Sequence, residues 1–346
     1  MFTIYLWFYK INTFIFNIQI IFTIFQVSKP VIVLLYIYTI IQIVIGMKTF
    51  NFNSIISLIT NFDTEQKCIN YLEEQRWNGK VISPFDNNSK VYKCKNNLYK
   101  CKNTNRFFNV KTGTIFEGSN IKLRTWFLAI YLISSHKKGI SSCQLSKYLN
   151  VTQKTSWFIL QRIRKCFNYE NKNILNNEVE VDEVYIGGKI RNDKNKPNAQ
   201  GRSTKYKTPI FGMVERNGKL NAKKVNNAKC STLLSNIVKY VKDATIYSDE
   251  WLGYRDVKKL YEHYIIKHGQ NEYVNGNIYT NTIEGFWAIL KRGFLGTYQY
   301  VSKKHIQIYV DEFVFRYNTR DMGESDRFMS LIKNIGVRTR YRDLIV

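Results

Sequence analysis

Three carboxylates, Asp182, Asp249 and Glu284, stand in segments suited to holding metal-binding acids. Asp182 lies in the strand-like run 178–186, Asp249 closes the apolar run 244–249, and Glu284 opens a helical stretch at 282–291. The acids are spaced 67 and 35 residues apart, so only tertiary structure can unite them. Two acids from strand ends and one from a helix start can hold two hard cations about 4 Å apart, the arrangement for phosphoryl transfer. Gly187-Gly188 follows the first run and permits close backbone approach by a ligand. Lys291 falls two turns after Glu284 on the same helix face, within reach of a phosphate, while Ile283, Trp287 and Leu290 bury the other.

Such acids need a scaffold, and the order of elements over 177–320 supplies one. Strand runs at 178–186, 209–215 and 219–225 precede a helix at 231–242. After these come a strand at 244–249, a helix at 250–260, a strand at 264–268 and a helix at 282–292. A meander followed by strand–helix alternation predicts a mixed α/β sheet with flanking helices, an order that suits a ribonuclease-H-like fold. The expected place of both aspartates is the carboxyl edge of that sheet, where open α/β sheets take their ligands. Between the first two strands, the polar, basic and turn-rich segment 189–207 reads as a loop, either a substrate clamp or simply solvated.

Charge narrows the substrate class. The 346 residues carry 52 Lys and Arg against 26 Asp and Glu, a formal charge of +26. That field attracts polyanions, so nucleic acid is the expected phosphodiester, although a basic surface alone also fits a plain RNA binder. Six cysteines at 68, 94, 101, 143, 166 and 230 form no disulfide framework and no C-x-x-C pair. They read as reduced thiols. His263 and His268 flank an apolar strand and read as packing or surface groups rather than a ligand pair.

Composition divides the rest. Residues 1–46 are apolar, with Lys10 and Lys29 as their only charges, and read as an in-frame extension before Met47, as a membrane segment or as a packed extension. Residues 51–117 are polar, with short apolar patches at Val91, Tyr92, Leu98, Tyr99, Phe107 and Phe108 that predict a small β-module. Within 121–167, Leu123, Trp126, Phe127, Ile130, Tyr131 and Ser134 make an amphipathic stripe. A helix at 139–149, a three-residue turn and a helix at 153–164 have the proportions of a helix-turn-helix. There Trp157, Leu160 and Ile163 are the expected core face, and Lys154, Gln161, Arg162, Arg164 and Lys165 the expected DNA contacts. Residues 321–346 read as a C-terminal tail.

The stretches VDEVYIGGK, TPIFGMVER, YSDEWLGY, NTIEGFWAILKRG and YVDEFVFRYNTR closely resemble the Merlin superfamily of DDE transposases and its bacterial insertion-sequence relatives. The resemblance runs from about Trp77 to Asn318 and includes the helical lead-in at 111–164. It implies DNA strand cleavage and strand transfer with Mg²⁺ or Mn²⁺, catalytic acids Asp182, Asp249 and Glu284, and Asn281 as a further metal-ligand candidate. Implied partners are double-stranded DNA and further copies of the chain on paired element ends, in a nucleus or nucleoid and with no membrane role. The alternative is a decayed or domesticated DNA-binding protein without chemistry. Relatives commonly carry a zinc ribbon of two C-x-x-C pairs. Here Ser83, Asp86, Cys101 and Thr104 stand at those four places, a degenerate ribbon for which no structural zinc is expected. Thr280 stands where relatives often have His.

Overall fold

The computed structural model describes residues 52–187, 207–266 and 278–345. The readings of residues 1–46, of loop positions 189–206 and of His268 lie outside the described residues. Among the described residues no helix is long and apolar enough to cross a membrane.

Short, largely buried runs, one of them buried from Thr208 to Val214, build one five-stranded mixed sheet. Its strands are β4 (Leu175–Ile186), β5 (Thr208–Glu215), β6 (Leu220–Lys224), β7 (Val241–Asp249) and β8 (Glu262–Ile266), in the order β6-β5-β4-β7-β8. The first three form an antiparallel meander, and β7 and β8 add parallel to β4. Parallel pairing requires crossovers. The first is helix α6 (Cys230–Tyr240). The second, expected as a helix over 250–260, is instead two short 3-10 turns, Leu252–Tyr254 and Val257–Lys259. Its entry is a turn in which Trp251 N–H donates to Asp249 Oδ1 at 3.1 Å. Gly253 then packs so tightly that a Cβ there would lie 2.6 Å from the Trp251 ring. Strand β8 starts two residues before its expected 264–268, whose last two positions lie outside the described residues.

Both sheet faces are covered. On one, Leu175, Val179, Val181, Phe211 and Met213 pack with Leu233 and Ile237 of α6. On the other, Val184, Ile210 and Val214 meet helices α7 (Asn281–Gly293) and α8 (Ile306–Asn318) through Ile283, Trp287, Val310 and Phe313. A π-helical turn, Phe294–Tyr298, continues α7 toward α8.

Ahead of the sheet, α1 (Ile55–Asn61) and α2 (Glu65–Trp77) are capped by Ser54 and Thr64. A three-stranded antiparallel sheet follows, β1 (Val91–Lys93), β2 (Tyr99–Cys101) and β3 (Phe107–Phe108). Its apolar patches do not form a core alone, since Tyr92 and Phe107 are exposed. Trp77 of α2 supplies the centre, with ring centroids 5.3 Å from Tyr99 and 6.1 Å from Phe108. The expected stripe of α3 (Leu123–Ser135) is buried throughout. The C-terminal segment includes helix α9 (Glu324–Lys333), whose Phe328 packs edge-on against Phe52 and Phe127.

Helix α4 (Ser142–Leu149) and helix α5 (Gln153–Arg164) are joined by Asn150, Val151 and Thr152. Asn150 takes the left-handed conformation at φ 49°, and the Thr152 hydroxyl accepts from Thr155 N–H at 3.2 Å. Those two conformations stop one helix and start the next.

Candidate active site

Asp182 is not at a strand end: β4 runs four residues beyond it, to Ile186. It does lie just past the last paired residues of the β4–β7 ladder, Glu180 and Tyr247. Continuing that register by one two-residue step sets Asp182 opposite Asp249, the last residue of β7. Side chains alternate along a strand, so both acids lie on the face covered by α7. That side is confirmed by the Trp287 indole N–H, which donates to Asp182 Oδ2 at 3.0 Å.

The electrostatics are those of crowded acids. Burial, then the charges of Glu183 and Asp249, push the Asp182 carboxyl up to about 7. Glu183 faces the opposite side of the sheet, where it accepts from Tyr254 Oη at 2.6 Å. A divalent cation between Asp182 and Asp249 would relieve the repulsion, and both offer hard oxygen donors, so the pair fits such an ion. Glu284 is exposed on the first turn of α7, where the Thr280 hydroxyl donates to it at 3.2 Å. Asn281, the first residue of α7, is exposed beside it. Among the described residues no three His, Cys, Asp or Glu side chains converge closely enough to hold a metal. The structure thus brings Asp182 and Asp249 together and sets Glu284 about one turn along α7 from Trp287.

Residues absent from the sequence reading fix α7 over this pair. Glu180, fully buried, accepts from Thr282 N–H, Thr282 Oγ1 and Ile283 N–H at 2.9, 2.9 and 3.1 Å. A strand carboxylate thereby caps the helix start, where free N–H groups and the helix dipole favour negative charge. Arg216 Nε binds the same carboxylate at 2.9 Å, with its guanidinium between the rings of Tyr247 and Tyr279 at 4.0 and 3.7 Å. Opposite Asp182 stands Gly212, where a Cβ would lie 2.5 Å from Trp287 and 2.8 Å from Ile283. The missing side chain lets α7 sit down on the sheet. One signal was available: Glu180 shares the face of Asp182 in an alternating run whose neighbours Val179 and Val181 are core residues.

The expected DNA contacts on α5 separate into two groups. Gln161, Arg162 and Arg164 are buried at 0, 4 and 1% exposure, which corrects their assignment as a phosphate-facing surface. Gln161 Nε2 donates to Tyr309 Oη at 3.1 Å, and Arg162 Nη1 donates to the carbonyls of Ile115 and Glu117 at 2.6 and 3.0 Å. Arg164 pairs with Glu312 of α8 at 2.7 Å, its guanidinium 4.0 Å from the Tyr309 ring. The reason is that α5 is packed on several sides at its C-terminal end, where polar side chains find protein partners. Trp157, expected in the core, is only half-buried and meets the His305 ring edge-on. Lys154 is exposed at the start of α5, and Lys165 is half-buried just beyond its end. Lys291 is exposed on α7.

In the small sheet, Ser83, Cys101 and Thr104 are brought together, with Ser89 added. Burial raises the Cys101 thiol, but hydrogen bonds from Ser83, Ser89 and Thr104 overcome it and bring the group down to about 6. Asp86 instead accepts from Asn103 Nδ2 at 2.7 Å and Asn88 N–H at 3.0 Å. One thiolate among hydroxyls does not fit a structural zinc, and hydrogen bonds occupy the corner.

Comparison with known proteins places this geometry in context. Residues 174–318 match the model of the ISXO2-like transposase domain. The uncharacterized protein in transposable element ISH50 of Halobacterium salinarum is 29% identical over 277 residues, covering 75% of this chain and 92% of that protein. Among solved structures, the Mos1 strand transfer complex aligns at 14% identity over 58% of this chain and 75% of that chain, with a TM-score of 0.25. The simian T-cell lymphotropic virus intasome aligns at 12% identity over 54 and 68%, with a TM-score of 0.27. Scores so low carry no argument about architecture. The domain match does carry one: residues 174–318 are similar to the ISXO2-like transposase domain, in line with the insertion-sequence resemblance of the motifs.

Proposed function

We propose that this protein is a DDE transposase that cleaves DNA at the ends of a mobile element and joins the freed strand to target DNA. The observation that carries the reading is the placement of Asp182 and Asp249 at facing positions of adjoining parallel strands, beneath the helix that bears Glu284. The strand order, a meander extended by two parallel strands, supports a ribonuclease-H-like fold for the catalytic domain. Asp182 and Asp249 would hold Mg²⁺ or Mn²⁺, with Glu284 and Asn281 as the further ligands from the start of α7. The bound metal would supply charge neutralisation at the phosphodiester and a nucleophilic oxygen at neutral pH. Trp287 orients the Asp182 carboxylate, Glu180 and Arg216 fix the start of α7, and Lys291 receives a phosphate of the strand being cut. Duplex DNA is read by α4 and the N-terminal half of α5, as in a helix-turn-helix, through Gln144, Lys147, Gln153 and Lys154, all exposed. A dimer or larger complex on paired ends, in a nucleus or nucleoid, completes the proposal.

The test is a cleavage assay on DNA flanking the element with Mg²⁺ or Mn²⁺. Asp182→Asn, Asp249→Asn and Glu284→Gln should each abolish cleavage and leave duplex affinity within about twofold, since carboxylates hold metal while lysines and arginines hold phosphates. A variant that retains near-parental cleavage removes its residue from the site. The exposure of Glu284 is the observation favouring the second reading, a DNA-binding protein that has lost its chemistry. That reading predicts DNA binding without cleavage in the parent itself.

A further inference from the structure

The segment after α9 ends in three exposed arginines at alternate positions, Arg338, Arg340 and Arg342. It is anchored beside α5. Thr339 and Leu344 are buried, at 1 and 2% exposure, Thr339 between Arg338 and Arg340 and Leu344 two residues beyond Arg342. The Tyr341 ring meets the Phe158 ring edge-on at 5.6 Å, and Lys154 Nζ lies 5.5 Å from the same ring. Around Leu344 the neighbourhood is again basic: His305 interacts with the Leu344 backbone and with the charges of Lys304 and Lys165. Two acids answer these cations. Glu117 pairs with Arg338 at 3.0 Å, and Asp343 pairs with Arg340 at 3.2 Å.

Six cations, Lys154, Lys165, Lys304, Arg338, Arg340 and Arg342, are therefore gathered against two carboxylates by an arm that the burial of Leu344 and Thr339 holds in place. Like charges brought together raise the energy of the folded chain unless a polyanion neutralises them. The exposed arginine heads are suited to phosphate oxygens, which they engage bidentately. The apolar anchors set that row of heads next to the exposed N-terminal half of α5.

We infer that residues 338–344 are a second duplex-DNA contact, an arginine arm that grips the phosphate backbone beside the groove entered by α5. The inference rests on the DNA-binding part of the proposed function and assigns a role to a segment outside the transposase domain match. Because α5 buries its own arginines, Arg162 and Arg164, the arm supplies phosphate contacts that the helix does not.

The experiment measures affinity of the full chain for a short random-sequence duplex across a salt series. Replacing Arg338, Arg340 and Arg342 by Gln should flatten the slope of log affinity against log salt by about two to three units, near 0.9 per lost phosphate contact. Replacing all three by Lys should restore most of the slope, and Tyr341→Ala, which removes an anchor but no charge, should weaken binding. If the glutamine triple does not fold, Arg342→Gln alone should flatten the slope by about one unit. An unchanged slope in the triple, with Lys147→Gln and Lys154→Gln still weakening binding, overturns the arm and leaves the proposed function standing. Equal flattening by Gln at Lys239, Lys242 and Lys258, exposed on and beyond α6, reduces the effect to net charge and also overturns it. Absence of duplex binding by the parent overturns both readings.

Discussion

Replacing Glu180 by Ala should loosen the helix that carries Glu284 before it affects anything else. Two main-chain N–H groups and one hydroxyl at the start of α7 lose their acceptor, and Arg216 loses its fully buried partner. Loss of a helix cap costs about 1 kcal/mol, and breaking a buried charge pair costs about 3–5 kcal/mol. Arg216 keeps part of its satisfaction, since Nη1 still reaches the half-exposed Glu178 at 3.2 Å and Nη2 donates to the Tyr279 carbonyl at 2.8 Å. The lower end of that range therefore applies, about 3 kcal/mol for the pair and, with the cap, about 4 kcal/mol in all. Glu180→Gln should cost about 1–3 kcal/mol, because its amide NH₂ must face either the helix N–H groups or Arg216, donor against donor. Urea unfolding with circular dichroism gives the free energies, and hydrogen exchange at 281–284 shows where the loss falls. A loss below about 1 kcal/mol for Glu180→Ala, or unchanged exchange at the helix start, would refute the claim that this carboxylate holds α7.

Gly212→Ala should destabilise the protein by about 1–3 kcal/mol, because its methyl group falls on Trp287 and Ile283, and should disturb the Asp182–Trp287 contact. Tryptophan fluorescence with unfolding measurements checks both effects. Glu312→Ala leaves Arg164 buried beside Tyr298 and Tyr309 and should cost about 3–5 kcal/mol by urea unfolding, with the salt slope of DNA binding unchanged. The Cys101 group is lowered in the fold from 9.0 to about 6, so the folded state favours thiolate. Its contribution is absent below about 6, grows with pH, and is fully present above 9.0, so the protection of β2 amides relative to their intrinsic exchange rate should rise over that window and Cys101→Ser should remove the rise.

Much of the five-stranded sheet and its helices was legible because these elements are short and strongly patterned. Short strand runs separated by turn-rich segments marked the meander, and the run Ile283, Trp287, Leu290 marked the buried face of α7. The turn from Asn150 to Thr152 also stood where its cap residues put it, since a left-handed Asn and an N-capping Thr act locally. The 250–260 segment misled because its composition is helical, while the tight packing of Gly253 against Trp251, a tertiary contact, divides it into turns.

What the sequence determined by itself was the inventory: which acids could serve, which strands and helices carry them, and the basic field that selects a polyanion. What only the tertiary structure decided was the company each side chain keeps. Asp182 and Asp249 become neighbours through a parallel register spanning 67 residues, which no local pattern encodes. Arg162 and Arg164 have the composition of a DNA-binding surface, yet they are buried, because helix periodicity gives the angle of a side chain and not what packs against it. Glu180 reads as one more surface acid until α7 sets its free N–H groups against it. In each case the deciding quantity is the cost of burying charge without a partner, and that cost is settled by atoms distant in the chain.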